Sequence, residues 1–276
     1  MYGAAGQDWI NEQSEPNPIT PYGMSKWKAE VDLRRLADAG FSPVFLRSAT
    51  AYGFSPRIRF DLVLNNLTAH AFTSGKVLLK SDGMSWRPIV HIEDIGRAFL
   101  AALEASAEIV HSEIFNVGIT TENYRIRELA EIVEETVPGS RIEFAIGAGA
   151  DKPTYRIDCS KISRLLPNFR PQWTARRGAR DLYNRYTEHG LLLEDFEGAR
   201  YQCLGYLQSL MARGAVTAMA FAVSGPTREW SPTQPTVSLS TLASIDYSIV
   251  MCGRPLACKD FFCDGGAVAA VMCSAC

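Results

Sequence analysis

Residues 16–30 read Pro-Asn-Pro-Ile-Thr-Pro-Tyr-Gly-Met-Ser-Lys-Trp-Lys-Ala-Glu. The prolines predict a loop, and a helix is expected over residues 22–39, with Gly40 as its C-terminal stop. Residues four positions apart share one face of a helix, so the phenol of Tyr22 and the ammonium of Lys26 should be neighbours. A phenol has an ordinary pKa of about 10, and a nearby cation lowers that pKa. Tyr22 is therefore a candidate general base.

Taken alone, Tyr22 and Lys26 could equally be two neighbouring side chains on an ordinary helix surface, without a catalytic role. The sequence around it predicts strands that alternate with helices through about residue 150, which is typical of an α/β fold. The strands are expected at residues 42–47, 77–79, 89–91, 114–117 and 141–146. The helices are expected at residues 60–74, 93–105, 125–137, 160–166, 176–189 and 196–213. In the helix over 93–105, periodicity puts Ile95, Phe99, Ala102 and Leu103 on one side.

Composition narrows the class of protein. The 276 residues are 47% hydrophobic and 21% charged, with a formal net charge of −2, which is ordinary for a globular protein and favours neither a nucleic-acid nor a membrane partner. No apolar run reaches the roughly 18 residues of a membrane span. The first residues have neither the basic nor the apolar region of a signal peptide, so a cytoplasmic location is expected. The four histidines lack metal-site spacing, and no metal is expected.

The stretch 16–30 closely resembles the active-site helix of the extended short-chain dehydrogenase/reductase family, which includes nucleotide-sugar epimerases and dehydratases. Further segments resemble the family in the same order, and together they cover about residues 2–214. These segments are Leu46-Arg47-Ser48-Ala49-Thr50-Ala51-Tyr52-Gly53, Asn65-Asn66-Leu67, residues 83–94 around Arg87, Phe115-Asn116-Val117-Gly118, and Tyr155-Arg156-Ile157-Asp158 with Lys161.

The resemblance implies a partial Rossmann-like, doubly wound parallel sheet with a smaller C-terminal substrate-binding subdomain. It implies an NAD(P)-dependent epimerase or dehydratase that acts on a nucleotide-diphosphate sugar through a keto intermediate. Tyr22 and Lys26 would be catalytic and would also meet the cofactor, NAD or NADP, together with Ser48. The substrate contacts implied are Thr50, Asn66, Arg87 and Arg156. Guanidinium groups suit phosphate oxygens.

Several alternatives stay open. Arg87 and Arg156 could instead form surface ion pairs, and Asn66 could cap a helix. Thr50 stands where the family usually has Asn, which puts the sugar contacts in doubt. Pro88 stands where the family usually has Asp, which removes a carboxylate beside Arg87. The alternative functions are a reductase or dehydrogenase of another carbonyl substrate, or a non-catalytic remnant that binds sugar nucleotide. For the oligomeric state, the possibility considered is a homodimer.

The sequence also lacks a glycine-rich G-x-G-x-x-G turn, which the cradle for a dinucleotide needs. In the family, a Val-Tyr-Gly segment matching Tyr2-Gly3 follows a catalytic Ser or Thr, which would precede Met1. We therefore expect an N-terminally truncated domain over residues 1–214, impaired in activity. Residues 215–276, with five of the seven cysteines, resemble nothing in the family and are expected to be an atypical, poorly ordered tail. Cys273-x-x-Cys276 has no second such pair, which disfavours a zinc site.

Overall fold

The structure is a computed structural model that describes residues 1–3, 9–149, 154–198, 201, 203–214 and 267–274. It divides into two compact units, residues 1–202 with 263–276, and residues 203–262. Within its described residues, the second unit contains the helix α9 (Cys203–Ala212). All other elements belong to the first unit.

Ten strands are found in the described residues: β1 (Trp9–Ile10), β2 (Phe41–Ser48), β3 (Thr50–Tyr52), β4 (Lys76–Ser81), β5 (Trp86–His91), β6 (Ile114–Val117), β7 (Asn123–Arg125), β8 (Arg141–Gly149), β9 (Arg156–Ile157) and β10 (Ala267–Ser274). They form sheets in the orders β1-β9, β10-β2-β6, β3-β5-β7 and β4-β8. All pairings are parallel except β5 with β7. The α/β architecture with parallel sheets, which the sequence predicts, is confirmed.

The helices of the first unit are α1 (Pro21–Arg35), α2 (Val63–Ser74), α3 (Ile92–Glu104), α4 (Ala107–Val110), α5 (Ile126–Thr136), α6 (Ser160–Leu165), α7 (Ala175–His189) and α8 (Leu193–Glu197). Each of the long helices lies in a segment where the sequence predicts one. Gly75 ends α2 and Gly190 ends α7 in the left-handed conformation that glycine adopts without strain.

The sheet β10-β2-β6 positions the site described below. Phe45 pairs with Ile114 of β6 on one side and with Val271 of β10 on the other. Helices α1 and α3 both contact β2 and β10. Val44, Leu46 and Phe115 are fully buried in the core around this sheet. The near-continuous apolar run of β2 is what a parallel strand covered on both faces requires.

A second hydrophobic core is formed by α2, α5 and α7 together with strands β3, β4 and β5. Its largest side chains include Tyr52, Leu64, Leu129 and Tyr186, each no more than 2% exposed. The smaller C-terminal substrate-binding subdomain expected from the sequence stays a prediction.

Some element boundaries differ from the sequence expectations. Helix α1 ends at Arg35 rather than near residue 39, because the carboxylate of Asp38 accepts hydrogen bonds from the backbone of Gly40 and Phe41 and forms a turn. Leu103 is 50% exposed, because the stripe of α3 that faces the core ends at Ala102. The helix expected over 196–213 is two helices, α8 and α9.

The expected poorly ordered tail falls mainly outside the described residues. Within it, residues 267–274 form β10, a strand that the sequence analysis did not anticipate. The division of the chain at residue 214 stays a prediction.

Helix α7 approaches β3 at a glycine, and this contact yields a test. A Cβ atom on Gly178 would lie 2.1 Å from Cε2 of Tyr52, a side chain that is 2% exposed. Gly178→Ala should therefore lower the free energy of unfolding by about 1–3 kcal/mol through overpacking. The matched control is Gly96→Ala in α3, where an added Cβ meets nothing within 4 Å. That variant should gain up to ~1 kcal/mol from helix propensity. Equal urea midpoints for the two variants would contradict the close contact.

Candidate functional site

The N-terminus of α1 carries the predicted Tyr-Lys pair. Thr20 caps the helix by accepting a hydrogen bond from the backbone N–H of Gly23 at 3.0 Å, and Pro21 occupies the first turn. Nζ of Lys26 lies 5.4 Å from the centre of the Tyr22 ring, and Tyr22 is 41% exposed. The structure therefore brings the two side chains together on one helix face, as the four-residue spacing predicts.

A cleft opens at the carboxyl end of β2. It encloses about 320 Å³ of empty space that is open to solvent. Its lining residues are Met1, Tyr2, Arg47, Ser48, Ala49, Pro88, Tyr155 and Ile157. The cleft adjoins α1, because a Cβ on Gly23 would lie 3.8 Å from the backbone nitrogen of Met1. Ligands of open α/β sheets bind beyond the carboxyl ends of the strands, which is the position of this cleft.

Ser48 is the last residue of β2 and lines the cleft. Its side chain is buried, with 2% of the residue exposed, and its Oγ has no hydrogen-bond partner in the described part of the chain. A buried hydroxyl without a partner costs free energy, so such groups call for an explanation in a native structure. A polar ligand in the cleft would supply one.

One wall of the cleft is a buried polar network that the sequence analysis missed. Arg47 donates from Nε and Nη2 to the two carboxylate oxygens of Glu30, at 3.0 and 2.6 Å. Arg47 Nη1 donates to the hydroxyl of Tyr2 at 2.8 Å, and Tyr2 in turn donates to Oδ1 of Asn116 at 2.8 Å. The network ties α1, β2, β6 and the N-terminal residues together.

Two signals in the sequence point toward this network. Glu30 follows Tyr22 and Lys26 at four-residue steps, so it shares their helix face. Arg47 is the one charged residue of the strand β2, and a buried cation needs a partner. Burial raises the pKa of Tyr2 to about 12, against the opposing effect of Arg47, so this hydroxyl stays protonated and keeps donating to Asn116.

Thr50 and Asn66, the first two residues predicted to contact substrate, lie on different elements. Thr50 begins β3 and pairs with Ile89 of β5. Asn66 lies in the first turn of α2, where its Nδ2 donates to the backbone oxygen of Phe60 at 2.7 Å. The amide of Asn66 thus holds the loop before α2. Its contact with a substrate stays a prediction.

The two arginines expected to clamp a diphosphate lie in contacting strands, Arg87 in β5 and Arg156 in β9. The guanidinium of Arg156 lies 4.4 Å from the ring centre of Trp9 and 4.8 Å from that of Trp86. Arg87 follows Trp86 in β5, and successive side chains of a strand point to opposite faces. Arg87 lies near the cleft residue Tyr155, whose pKa it lowers against the larger effect of burial. A clamp formed by both arginines stays a prediction.

His91 and Asp94 order the start of α3. Nδ1 of His91 accepts from the backbone N–H of Glu93 at 3.2 Å. The carboxylate of Asp94, which is 1% exposed, accepts from the backbone of Gln172 and Trp173. The side chains of His91 and Asp94 therefore hold the start of α3 in place.

This arrangement predicts a pH dependence of stability. Burial lowers the pKa of His91 to about 4, an effect that Glu93 and Asp94 oppose and Arg97 and Arg177 reinforce. The unfolded chain, with a histidine pKa of about 6.5, binds the proton first. Stability should therefore fall as the pH decreases from about 6.5 to about 4.

The check is the urea midpoint measured across this pH range. His91→Asn keeps a side-chain oxygen for the cap but cannot titrate, so its stability should vary less with pH. His189→Gln replaces an exposed histidine and is the control. It should leave the dependence of the urea midpoint on pH unchanged. Equal slopes for all three proteins would show that His91 does not cause the effect.

Two further properties of the described residues bear on function. Their histidines, cysteines and acidic residues do not gather into a group of three or more that could ligate a metal. None of their helices combines the length and the apolar character that a membrane span requires.

A parallel α/β sheet with a cleft at its carboxyl edge, next to a helix that carries a Tyr-Lys pair, is an arrangement typical of dinucleotide-dependent dehydrogenases and reductases. Residues 1–118 match the model of the NAD dependent epimerase/dehydratase family. The resemblance described from the sequence is thereby confirmed.

Among characterised relatives, human dTDP-D-glucose 4,6-dehydratase is 25% identical over 197 residues, which are 68% of this chain and 54% of that protein. A putative UDP-glucose 4-epimerase of Methanocaldococcus jannaschii is 26% identical over 190 residues, 67% of this chain and 59% of that protein. The crystal structure of dTDP-glucose 4,6-dehydratase from Bacillus anthracis in complex with NAD superposes with a TM-score of 0.58 at 20% identity, covering 71% of this chain and 61% of that one. The chain spans somewhat more than half the length of the relatives it matches.

Proposed function

We propose that this chain is part of an NAD(P)-dependent epimerase or dehydratase that acts on a nucleotide-diphosphate sugar through a keto intermediate. The observation that carries the proposal is the Tyr22–Lys26 pair on α1, which adjoins a cleft containing the unpartnered hydroxyl of Ser48. The relatives that match this chain are sugar-nucleotide dehydratases and epimerases, which supports the substrate class.

The residues present fit one end of NAD(P) and not the whole cofactor. Tyr22, Lys26 and Ser48 offer the hydroxyl and ammonium groups that suit the ribose beside the nicotinamide. The pyrophosphate needs a glycine-rich turn between a strand and a helix, and the sequence contains no G-x-G-x-x-G. When bound, the nicotinamide supplies the hydride acceptor and donor for oxidation and reduction of the sugar.

The chain's own residues have separable tasks in this proposal. Tyr22 takes the proton from a sugar hydroxyl, at C4 of the ring, when the sugar is oxidised to the ketone, and returns it when the ketone is reduced. Lys26, one helical turn away, favours the phenolate form of Tyr22. Arg87, next to the cleft residue Pro88, attracts the substrate diphosphate. Since this sequence contains no G-x-G-x-x-G turn, we expect weak turnover from this chain.

Two alternative functions use the same residues. The absence of a glycine-rich turn favours a non-catalytic remnant that binds sugar nucleotide. A reductase of another carbonyl substrate would use the same Tyr-Lys pair, but it would have no need of Arg87 for a diphosphate.

Calorimetric titrations and a turnover assay separate the three. The purified chain would be titrated with UDP-glucose, dTDP-glucose, NAD⁺ and NADP⁺, and sugar products would be followed by chromatography. The proposal expects binding of a sugar nucleotide with slow conversion in the presence of NAD⁺ or NADP⁺. Binding of sugar nucleotide without cofactor binding or conversion would support the remnant, and reduction of a free ketone alone would support the reductase.

The cellular setting is part of the proposal. We place the protein in the cytoplasm, as a homodimer with neither nucleic acid nor membrane as a partner. Its net charge of −2 supports the exclusion of both partners. Light scattering on a sizing column should give about twice the 30.4 kDa mass of one chain.

A further inference from the structure

Much of the cleft at the carboxyl end of β2 is apolar. Four of its eight lining residues have apolar side chains, namely Met1, Ala49, Pro88 and Ile157. Ala49, Pro88 and Ile157 are buried, and two of them, Ala49 and Ile157, belong to the hydrophobic core around the sheet β10-β2-β6. These side chains offer a ligand packing contacts rather than hydrogen bonds.

Two of the polar lining residues are engaged within the protein. The hydroxyl of Tyr2 donates to Asn116 and accepts from Arg47, each at 2.8 Å. The other edge of the Arg47 guanidinium is held by Glu30 at 3.0 and 2.6 Å. Because this network is buried, a ligand that drew one of its members away would leave a charge without its partner. Tyr2 and Arg47 therefore build the wall of the cleft.

Ser48 and Tyr155 carry the hydroxyls of the cleft that are open to a ligand. Oγ of Ser48 has no partner among the residues that the structure describes, and neither has the phenol of Tyr155. Burial raises the pKa of Tyr155, so its phenol stays protonated and can donate a hydrogen bond. Since Ser48 is also the expected contact of the cofactor, the side chains of the cleft offer a sugar these two hydroxyls at most.

We propose that the sugar of the substrate is a 6-deoxy sugar, with a methyl group at C6, and that the reaction is its epimerisation at C4. This inference rests on the proposed function and deepens it. A hexose linked through C1 has hydroxyls at C2, C3, C4 and C6. Tyr22 takes the proton of the C4 hydroxyl, and Ser48 and Tyr155 match at most the ring hydroxyls at C2 and C3.

The group at C6 then faces the apolar wall of Ala49, Pro88 and Ile157. A hydroxyl without a hydrogen-bond partner is unfavourable in such a place. A methyl group is favourable there, because its apolar surface leaves water. The composition of the cleft thus suits a methyl group at C6 better than a hydroxymethyl group.

The type of reaction follows from the sugar. Loss of water from C6 requires a hydroxyl there as the leaving group, and a 6-deoxy sugar has none. Epimerisation requires only that the C4 hydroxyl give its proton to Tyr22 while C4 gives a hydride to the nicotinamide. The hydride then returns to the opposite face of the ketone and the proton returns to its oxygen, so no oxidant is consumed.

Calorimetric titration of the full chain tests the sugar without the need for turnover. The probes are glucose and 6-deoxyglucose, each linked to UDP and to dTDP, so that the members of a pair differ at C6 alone. We expect the 6-deoxy form to bind about 10–100-fold more tightly, because a hydroxyl in an apolar pocket is disfavoured by this order. Equal affinities within a pair, or tighter binding of the glucose form, would overturn the proposal.

A variant of the apolar wall tests where C6 lies. Ile157→Thr adds a hydroxyl to the cleft and should reduce the preference for the 6-deoxy form. The matched control is Ile95→Thr. Ile95 is 6% exposed and Ile157 is 4% exposed in the same core, but Ile95 does not line the cleft. The control should keep the preference of the unsubstituted chain.

The preference is a ratio of two affinities in one protein. Partial unfolding of a variant lowers its binding stoichiometry and leaves this ratio in place. An unchanged ratio in Ile157→Thr would overturn the placement of C6 against this wall.

The products report on the type of reaction. With NAD⁺ or NADP⁺ present, the 6-deoxy sugar nucleotide should yield its C4 epimer, an isomer of equal mass that chromatography separates. Formation of a dehydrated product from the glucose form would overturn the assignment as an epimerase.

Failure of the proposed function gives a different pattern. If none of the sugar nucleotides binds, the assignment of the cleft to nucleotide sugars is wrong altogether. If the glucose forms bind as tightly as the 6-deoxy forms, the proposed function stands and the 6-deoxy sugar is wrong.

Discussion

Tyr22→Phe is expected to lower the turnover of a nucleotide sugar by about 10²–10⁴-fold, the usual contribution of a positioned general base. The substitution removes the hydroxyl that would accept the substrate proton and keeps the ring that Lys26 approaches to 5.4 Å. Since Tyr22 is 41% exposed on α1, the loss of one hydroxyl should leave the fold intact. The measurement is kcat with NAD⁺ present, together with sugar-nucleotide affinity by calorimetry.

The control for Tyr22 is another exposed tyrosine on a helix. Tyr206 of α9 is 51% exposed, and Tyr206→Phe should leave turnover at the level of the unsubstituted chain. Turnover by Tyr22→Phe at that same level would refute the assignment of the general base. Loss of affinity in step with kcat would instead assign Tyr22 to binding.

Glu30→Ala is expected to lower the free energy of unfolding by about 3–5 kcal/mol, the cost of leaving a buried ion without its partner. The side chains of Glu30 and Arg47 are 3% and 6% exposed, and two hydrogen bonds join them. Removal of the carboxylate leaves the guanidinium of Arg47 with the neutral hydroxyl of Tyr2. Urea unfolding followed by circular dichroism measures the change.

A matched control lies on the same helix. Asp32 and Arg35 also form an ion pair, at 3.5 Å, but their side chains are 70% and 69% exposed. Asp32→Ala should change stability by less than about 1 kcal/mol, because water and salt screen exposed charges. Similar losses in the two variants would show that the Glu30–Arg47 pair is not the buried interaction that the structure describes.

Arg87 and Arg156 show what a sequence pattern can predict about a site and what it cannot. The resemblance to the family places Arg87 and Arg156 near one diphosphate, and spacing along the chain has no bearing on which faces they occupy. The fold puts Arg156 next to Trp9 and Trp86, three residues from three separate segments. The surroundings of Arg156 are therefore a product of strand pairing and packing.

The sequence by itself determined the α/β class, the order of the main elements and the Tyr22–Lys26 pair. These features depend on local rules: hydrophobic periodicity, glycine stops and the four-residue repeat of a helix face. The tertiary structure decided which distant residues meet. It placed Arg47 against Glu30 and Tyr2, left the hydroxyl of Ser48 without a partner at the cleft, and paired β10 with β2. Contacts between residues so far apart in the chain arise from packing and strand register, which no local pattern encodes.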